Sequence, residues 1–270
     1  MRAFRIAYDG VAYHGFQRQP DVGTVEGRLF RALDRLGVSD GGKPAGYSAA
    51  GRTDAGVSAL SQTVAFEAPD WLTPAAMNSE LPGDVRAWAS ADADTERFHA
   101  QYDAISREYT YYLHAPEATV EDDRARAVLD RLSGRNDFHN LTSDSGETIR
   151  TIRETRLDRE GDFAVITLRA GGFLRQLARR IVSLLASVGR GERDLDFVDR
   201  VLSAERLDGP EGIAPAPPEP LVLTDVAYDL DFEIDERAAE SARAIFERKR
   251  VDREARSRVA GAIEGGVGRS

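Results

Sequence analysis

One stretch of nine residues, 51–59, constrains this chain more than any other. It contains Asp54 and Arg52, is punctuated by glycines at positions 51 and 56, and lies between two segments that are predicted to be strands. Glycine permits backbone dihedrals that other residues avoid, so we predict a tight loop that presents polar side chains. The Asp54 carboxylate could act there as a nucleophile, with Arg52 beside it or turned toward a phosphate. The alternative is an ordinary turn in which Asp54 caps the following segment.

Length and composition limit the class of protein. A chain of 270 residues with 41% hydrophobic content can bury one large core or two modest ones. No run of about 18 apolar residues is present, so we predict no membrane span. Residues 1–8 lack the apolar core of a signal peptide, and a cytoplasmic protein is expected. The absence of cysteine excludes disulfides, thiolate metal sites and cysteine nucleophiles.

The charge is unusual for a protein that would bind nucleic acid. The formal net charge is −10, and all but two of the 36 basic residues are arginine, the exceptions being Lys43 and Lys249. An acidic balance normally argues against a nucleic-acid partner. We interpret it as an adaptation to high intracellular salt, where net charge keeps a protein soluble. High salt would weaken counterion release on RNA binding, so stacking, hydrogen bonds and shape would contribute more.

Hydrophobic periodicity divides the chain into two similar halves and a tail. Residues 1–103 are predicted to form a strand at 2–9, a helix at 24–36, strands at 47–50 and 63–66, a helix from 73, and a strand at 85–91. This is the order of a split β-α-β, ferredoxin-like unit. Residues 104–234 are predicted to form a strand at 106–113, a helix at 120–132, a strand pair at 148–157 and 163–169, a helix at 172–185, and a strand at 221–228. We therefore expect an α+β fold with two ferredoxin-like halves, whose mainly antiparallel sheets flank a central RNA-binding cleft.

The tail, residues 235–270, has a different composition. Acidic residues and arginines alternate over 236–259, which predicts a charged helix, and the glycine-rich stretch 261–270 predicts a frayed end. The sequence assigns this tail no function.

Three further segments carry candidate functional residues. The loop at 8–19 contains aromatic residues, amides and Arg18. This composition suits stacking on bases and contact with phosphate. The alternative is the end of a strand that packs two tyrosines into the core. In the strand at 106–113, Arg107 and Tyr109 alternate onto one face. In the helix at 172–185, Arg175 and Arg179 are four residues apart and are predicted to share a face. That face could carry a function, or it could be a basic face that is exposed only to solvent.

These segments resemble the motifs of one family, in order. Gly51-Arg52-Thr53-Asp54-Ala55-Gly56-Val57-Ser58-Ala59 resembles the active-site signature of the tRNA pseudouridine synthase A family. The 8–19 loop is similar to its N-terminal signature, with Phe16 where tryptophan is common, and Arg107-Glu108-Tyr109-Thr110-Tyr111 to its second motif. The segment from Phe173 to Val182 resembles its Phe-Leu-X-X-X-X-Arg-X-Ile-Val helix. The resemblance covers about residues 2–230.

The resemblance implies a role for each candidate. Asp54 would be the catalytic nucleophile, and Arg179 would pair with it. Tyr109 would pack against the target uracil. Arg52 would occupy or support the space left by the nucleotide that is extruded from its stack. Arg18 and Arg175 are further candidates for substrate binding.

The same resemblance implies the reaction and its partners. The enzyme would be an isomerase that converts uridine to pseudouridine on the 3′ side of the tRNA anticodon stem-loop, at tRNA positions 38 to 40. It would be a homodimer and would need no cofactor and no metal. An alternative is a tRNA-binding module that has lost catalysis, and another is a hydrolase using Ser48, although the glycine that follows Ser48 comes one residue too late for a nucleophile elbow.

Some positions depart from the family pattern. Ser58 stands where the family usually has histidine, and Arg180 and Ser183 stand where asparagine and glycine are typical. The first of these departures puts any role of the usual histidine in doubt for this chain. The four histidines, at 14, 99, 114 and 139, show no metal-ligand spacing, so we interpret them as structural or surface residues.

Overall fold

The computed structural model describes residues 1–93 and 98–268 of the chain. Within these ranges it contains ten strands and six α-helices. The strands are β1 (Arg2–Tyr8), β2 (Ser48–Ala49), β3 (Ser58–Phe66), β4 (Val85–Asp92), β5 (Ser106–His114), β6 (Gly134–Asp137), β7 (Ile149–Glu160), β8 (Phe163–Ala170), β9 (Leu221–Ala227) and β10 (Glu233–Ile234). The helices are α1 (Val25–Arg35), α2 (Pro74–Glu80), α3 (Asp122–Leu132), α4 (Leu177–Gly189), α5 (Leu195–Leu202) and α6 (Glu236–Gly266).

The strands of the described ranges form one continuous sheet. Their order is β10-β4-β1-β3-β9-β5-β8-β7-β6, with β2 paired to β3 beside this path. The sheet is mostly antiparallel, as predicted, while β3 and β9 are parallel through Ser58 and Ala59. The expectation of separate sheets flanking a cleft is wrong. The reason is β9, which pairs with β3 on one side and with β5 on the other and so joins the two halves of the chain.

Local signals place the helices of the first half where the sequence predicted them. The Thr24 hydroxyl accepts a hydrogen bond of 3.2 Å from the Gly27 N–H and caps α1. The helix ends just before Gly37, whose φ of 71° is unfavourable for other residues. Thr73 caps α2 in the same way, by accepting from Ala76, and Pro74 begins it.

Two hydrophobic clusters lie between the helices and the sheet. One packs α1 and α2 against β1, β3 and β4, and the other packs α3, α4 and α5 against β5, β7 and β8. Tyr109, on β5, packs partly buried against both clusters. The seam between the two clusters is therefore where residues from the two halves of the chain meet.

Several element boundaries differ from the prediction. β3 begins at Ser58, so the loop that carries Asp54 is shorter than expected, and α5 and the short strands β6 and β10 were not predicted. The expected frayed end is wrong for the described residues, because α6 continues to Gly266. Each residue added to an existing helix gains a backbone hydrogen bond, such as that of 3.0 Å from Val267 N–H to the Ile263 carbonyl. No helix in the described ranges is both long and apolar enough to cross a membrane.

Candidate active site

The loop that carries Asp54 is hydrogen-bonded to β3 at its start and closed by an internal hydrogen bond at its end. Ala50 N–H donates to the Thr63 carbonyl at 2.8 Å, and the fully buried Gln62 donates its side-chain amide to the Gly51 carbonyl at 2.9 Å. At the other end, Val57 N–H donates to the Asp54 carbonyl at 3.2 Å. The loop is therefore a short, hydrogen-bonded projection from the sheet.

A buried tyrosine is hydrogen-bonded to this loop. The Tyr8 and Thr53 hydroxyls share a hydrogen bond of 2.7 Å, with Tyr8 only 2% exposed. Phe16 N–H donates to the Thr53 carbonyl at 3.1 Å. Thr53 is thus held through both its side chain and its backbone, next to Asp54. No sequence signal predicted the hydrogen bond between Tyr8 and Thr53.

The loop after β1 packs directly against the Asp54 loop. Gly15 has a φ of 93°, and a Cβ at this position would lie 2.9 Å from the Thr53 carbonyl oxygen. Gly56 N–H donates to the Tyr13 carbonyl at 3.2 Å. A glycine is required at position 15 because both the dihedral and the close approach exclude a side chain.

Arg179 forms an ion pair with Asp54. Its Nη1 lies 3.0 Å from Asp54 Oδ2, and its Nε donates to the Ala216 carbonyl at 2.6 Å. The Arg179 side chain is 11% exposed and that of Asp54 is 31% exposed. The second hydrogen bond fixes the direction of the guanidinium, so the carboxylate is held in one place while part of it still faces solvent.

Arg175 does not lie on the helix that carries Arg179. Gln176 adopts a left-handed φ of 60°, and α4 begins only at Leu177. The prediction that Arg175 and Arg179 share a helix face is therefore wrong. Arg175 belongs to the preceding loop, where its N–H donates to Asp144 Oδ2 at 2.9 Å, and it still lines the same cleft as Arg179.

Tyr109 lines the cleft beside the Asp54 loop. Its ring packs edge-on against Phe173, with centroids 4.9 Å apart and an interplanar angle of 80°. Burial raises the pKa of the Tyr109 hydroxyl to about 12, against the opposing effect of the Arg107 cation and with a smaller contribution from the Asp54 charge. The hydroxyl is therefore neutral at physiological pH.

The ring and the hydroxyl of Tyr109 can be tested separately. We expect Tyr109→Phe to bind the RNA substrate implied by the family resemblance like the wild type but to lower kcat by about 10²-fold or more, because it keeps the ring and loses only a group able to exchange protons. Tyr109→Ala should also raise KM, since stacking on an aromatic ring contributes about 1–3 kcal/mol per base. Steady-state kinetics on both variants give the two values. An unchanged kcat in Tyr109→Phe would show that the hydroxyl has no part in turnover.

Arg107 connects three segments around the cleft. Its guanidinium donates to the carbonyls of Gly171 at 2.6 Å, Ala50 at 2.8 Å and Gln101 at 2.5 Å. Burial lowers the pKa of Arg107, with partial compensation from Tyr228 and Tyr109. The sequence predicted only that Arg107 shares a face with Tyr109. Its contacts had no sequence signal, because backbone carbonyls can accept from arginine whatever residue they belong to.

The remaining two predicted arginines lie in different surroundings. Arg52 is exposed and lines the cleft, and it forms no ion pair with any residue that the structure describes. Arg18 lies outside the cleft lining, with its guanidinium 5.9 Å from the centroid of the Phe30 ring. Of the six predicted site residues, the structure therefore brings five to one cleft and leaves Arg18 near its rim, since Gln17 and Gln19 line it.

The cleft has a volume of about 1020 Å³ and a positive lining. Its charged lining residues are mainly basic, although the whole chain is acidic. They are Lys43, Arg52, Arg107, Arg150, Arg175 and Arg179, against Asp54 and Asp144. A concave site with this excess of cations concentrates polyanions near the Asp54 carboxylate.

The hydrolase alternative has less support in this cleft. Ser48 is buried, and its hydroxyl accepts a hydrogen bond of 2.9 Å from Ala100 N–H, which disfavours it as a nucleophile. Within the described ranges, no cluster of three or more histidine or acidic side chains could hold a metal ion.

Comparison with known proteins identifies the family. A family model described as tRNA pseudouridine synthase matches residues 128–229. A tRNA pseudouridine synthase A from Natronomonas pharaonis is 58% identical over 265 residues, which is 97% of this chain and 98% of the relative. This chain belongs to the tRNA pseudouridine synthase A family. A second family member, from Halobacterium salinarum, is 58% identical over 96% of this chain and 97% of its own length. A third, from Methanosarcina acetivorans, is 40% identical over 86% of both chains.

Ser58, which departs from the family pattern, forms a hydrogen bond to the loop after β1. In the tRNA pseudouridine synthase A signature this position is usually histidine, whereas here the Ser58 hydroxyl accepts a hydrogen bond of 3.0 Å from Gly10 N–H. Gly10 lies so close that a Cβ would be 2.0 Å from the Val57 carbonyl oxygen. Ser58 thus joins the loop that follows β1 to the end of the Asp54 loop.

Proposed function

We propose that this cleft isomerises uridine to pseudouridine on the 3′ side of the tRNA anticodon stem-loop, at positions 38 to 40, with Asp54 as the nucleophile. The observation that carries the proposal is the Asp54–Arg179 ion pair of 3.0 Å, which lies in a positively lined cleft beside Tyr109. Membership in the tRNA pseudouridine synthase A family supports the reaction. The combination of Asp54, Tyr109 and Arg179 also disfavours a module that binds tRNA without turnover.

The proposed reaction requires only groups that this chain provides. The bond between ribose and uracil N1 breaks, a carbon–carbon bond forms at C5, C5 loses a proton and N1 gains one, so no oxidation or reduction occurs. Asp54 would form a covalent bond either to the base or to the sugar and then release it. Arg179 would hold the carboxylate between these steps. Tyr109 would stack on the uracil, and its hydroxyl would assist removal of the proton from C5.

The target nucleotide would have to leave its stack to reach Asp54. Arg52 is exposed on the cleft wall next to Asp54, which suits a side chain that fills or supports the vacated space. Arg175 in the lining and Arg18 at the rim would contact phosphates of the same stem-loop. These contacts would position the RNA, while the cleft would select an extruded base.

We also propose that each half of the chain is a ferredoxin-like unit, residues 1–103 and 104–234, with 235–270 as an appended helix. The neighbours β4-β1-β3, with β2 also paired to β3, support this for the first half. The neighbours β9-β5-β8-β7 have the same relative order in the second half. The homodimer remains a prediction from family resemblance, and the cytoplasmic location remains a prediction from the sequence.

The test is pseudouridine formation in a tRNA transcript incubated with the protein in molar KCl. We expect product that maps to the 3′ side of the anticodon stem-loop. A matched transcript with cytidine at positions 38 to 40 should give none. Product elsewhere in the tRNA would contradict the proposed site. Tight tRNA binding without any product would favour the binding-module alternative.

Salt dependence gives a further prediction. Relatives at 56–58% identity come from halophilic archaea, which supports our interpretation of the net charge of −10. We expect kcat/KM to be higher in molar KCl than in dilute buffer, because screening reduces repulsion among the acidic side chains. Initial rates across a KCl series measure this. A maximum in dilute buffer would contradict salt adaptation and leave the proposed reaction unaffected.

A further inference from the structure

A buried carboxylate outside the cleft forms ion pairs with the C-terminal helix. The Asp9 side chain is 7% exposed, and its Oδ2 lies 2.7 Å from Lys249 Nζ and 2.6 Å from Arg253 Nη2. Burial opposes ionisation of Asp9, but the hydrogen bonds from these two cations outweigh it and leave the pKa of Asp9 below its usual value. The helix α6 is therefore attached to the start of the loop that follows β1.

The same helix is attached to the protein at its other end. Asp235 caps α6 by accepting from Ala238 N–H at 3.0 Å, and its other oxygen accepts from Ala75 N–H at 2.9 Å, in the first turn of α2. From Asp235 to Arg253 the helix extends about 27 Å at 1.5 Å per residue. Lys249 and Arg253 thus sit on a rigid element whose base is fixed elsewhere in the fold.

A short series of contacts leads from Asp9 to the Asp54 loop. Asp9 Oδ1 accepts from Val11 N–H and so caps the turn at 10–12. The first residue of that turn, Gly10, donates to the Ser58 hydroxyl at 3.0 Å. The residue after the turn, Tyr13, accepts from Gly56 N–H at 3.2 Å. Both contacts reach the part of the loop that immediately follows Asp54.

We propose that α6 is a brace for the active site and that Lys249 and Arg253 are positioning residues. By fixing Asp9, they hold the turn at 10–12 against residues 56–58 and so keep Asp54 in register with Arg179. Neither residue lines the cleft, so they act on turnover and leave tRNA binding unchanged. The effect on turnover rests on the proposed function of Asp54, whereas the effect on loop rigidity does not.

A matched pair of double variants tests the brace. Lys249→Gln with Arg253→Gln removes both contacts to Asp9. The control, Arg250→Gln with Arg256→Gln, removes the same charge from the same helix at side chains that are 66% and 79% exposed and pair only within α6 in the described residues. We expect the first variant to lower kcat about tenfold with unchanged KM, because small displacements of a reacting group are costly. The control should keep wild-type values.

Two further measurements complete the test. The conservative double variant Lys249→Arg with Arg253→Lys should recover kcat to within about threefold, since both cations remain. Amide hydrogen exchange over residues 51–58 should be faster in the first double variant than in its control, and this readout does not depend on activity. Circular dichroism shows whether each protein is folded. If the double variant does not fold, the same measurements are made on the single variant Arg253→Gln, which is a milder change.

Each outcome decides the proposal. Unchanged kcat and unchanged exchange in the first variant would overturn the brace. An equal rise in KM in both double variants, with kcat intact, would overturn it in favour of a direct RNA contact by α6. Faster exchange over residues 51–58 in the first double variant than in its control, together with a wild type that forms no pseudouridine, would retain the brace while rejecting the proposed function.

Discussion

Replacing Asp54 with asparagine is expected to abolish pseudouridine formation while leaving tRNA binding intact. The amide keeps the size of the side chain and can still accept from Arg179, so the loop held by Gln62 and Tyr8 should not move. It cannot serve as a nucleophile, and loss of the nucleophile in an enzyme with covalent catalysis can lower kcat by about 10⁴-fold or more. Single-turnover assays with excess protein, together with a direct tRNA-binding measurement, separate the two effects.

The matched control is Asp144→Asn. Asp144 lines the same cleft and accepts a hydrogen bond of 2.9 Å from Arg175 N–H, which an asparagine oxygen can also accept. We expect this variant to lose less than about tenfold in kcat, because Asp144 has no part in the proposed reaction and only an exposed charge is lost. Equal losses in both variants would show that the cleft needs negative charge rather than a nucleophile at Asp54.

Replacing Arg179 with glutamine is expected to have the second largest effect. The variant removes the cation 3.0 Å from Asp54 and the hydrogen bond of 2.6 Å to the Ala216 carbonyl. The carboxylate would lose its electrostatic partner and its fixed direction. We expect kcat to fall by about 10²- to 10³-fold, the usual effect of losing one group that stabilises charge at a reacting centre. Steady-state kinetics with circular dichroism give the rate and the state of the fold.

Two other variants show what Arg179 contributes. Arg179→Lys keeps the charge but cannot form both hydrogen bonds with the same geometry, so an intermediate kcat is expected. Arg175→Gln removes an exposed arginine of the same cleft and should raise KM with kcat nearly unchanged. If Arg179→Gln also changed only KM, Arg179 would be an RNA contact like Arg175 and not a partner of Asp54.

The linear pattern of the chain predicted the helices and strands that surround the site. Capping and periodicity placed α1 and α2, and the glycine-punctuated stretch placed Asp54 in a loop between two strands. The start of α4 was missed because its hydrophobic spacing continues without interruption through Leu174. The helix nevertheless begins after Gln176, whose left-handed backbone is held in a loop that also bonds to Asp144. Periodicity reports which residues are apolar, and it carries no information on such a contact.

The sequence named the candidate residues of the site but not the contacts that hold them in place. Family motifs named Asp54, Tyr109 and Arg179. The hydrogen bonds of Tyr8 and Arg107 could not be predicted, because they depend on which hydroxyl or backbone carbonyl the fold brings within about 3 Å. The same holds for the tail, where the sequence indicated a charged helix but not that two of its cations enclose Asp9, 240 and 244 residues away.

By itself, the sequence determined the local structure and the chemical types at the site. An aspartate in a glycine-rich loop, a tyrosine on a strand and arginines near a helix follow from residues within a few positions of one another, because propensity, capping and alternation act over one or two turns. The pairing of Arg179 with Asp54, across 125 residues, was implied by family resemblance and by no local pattern, and only the tertiary structure showed that one continuous sheet joins the two halves through β9. Those outcomes depend on packing and on pairing between distant segments, whose free energy no local pattern contains.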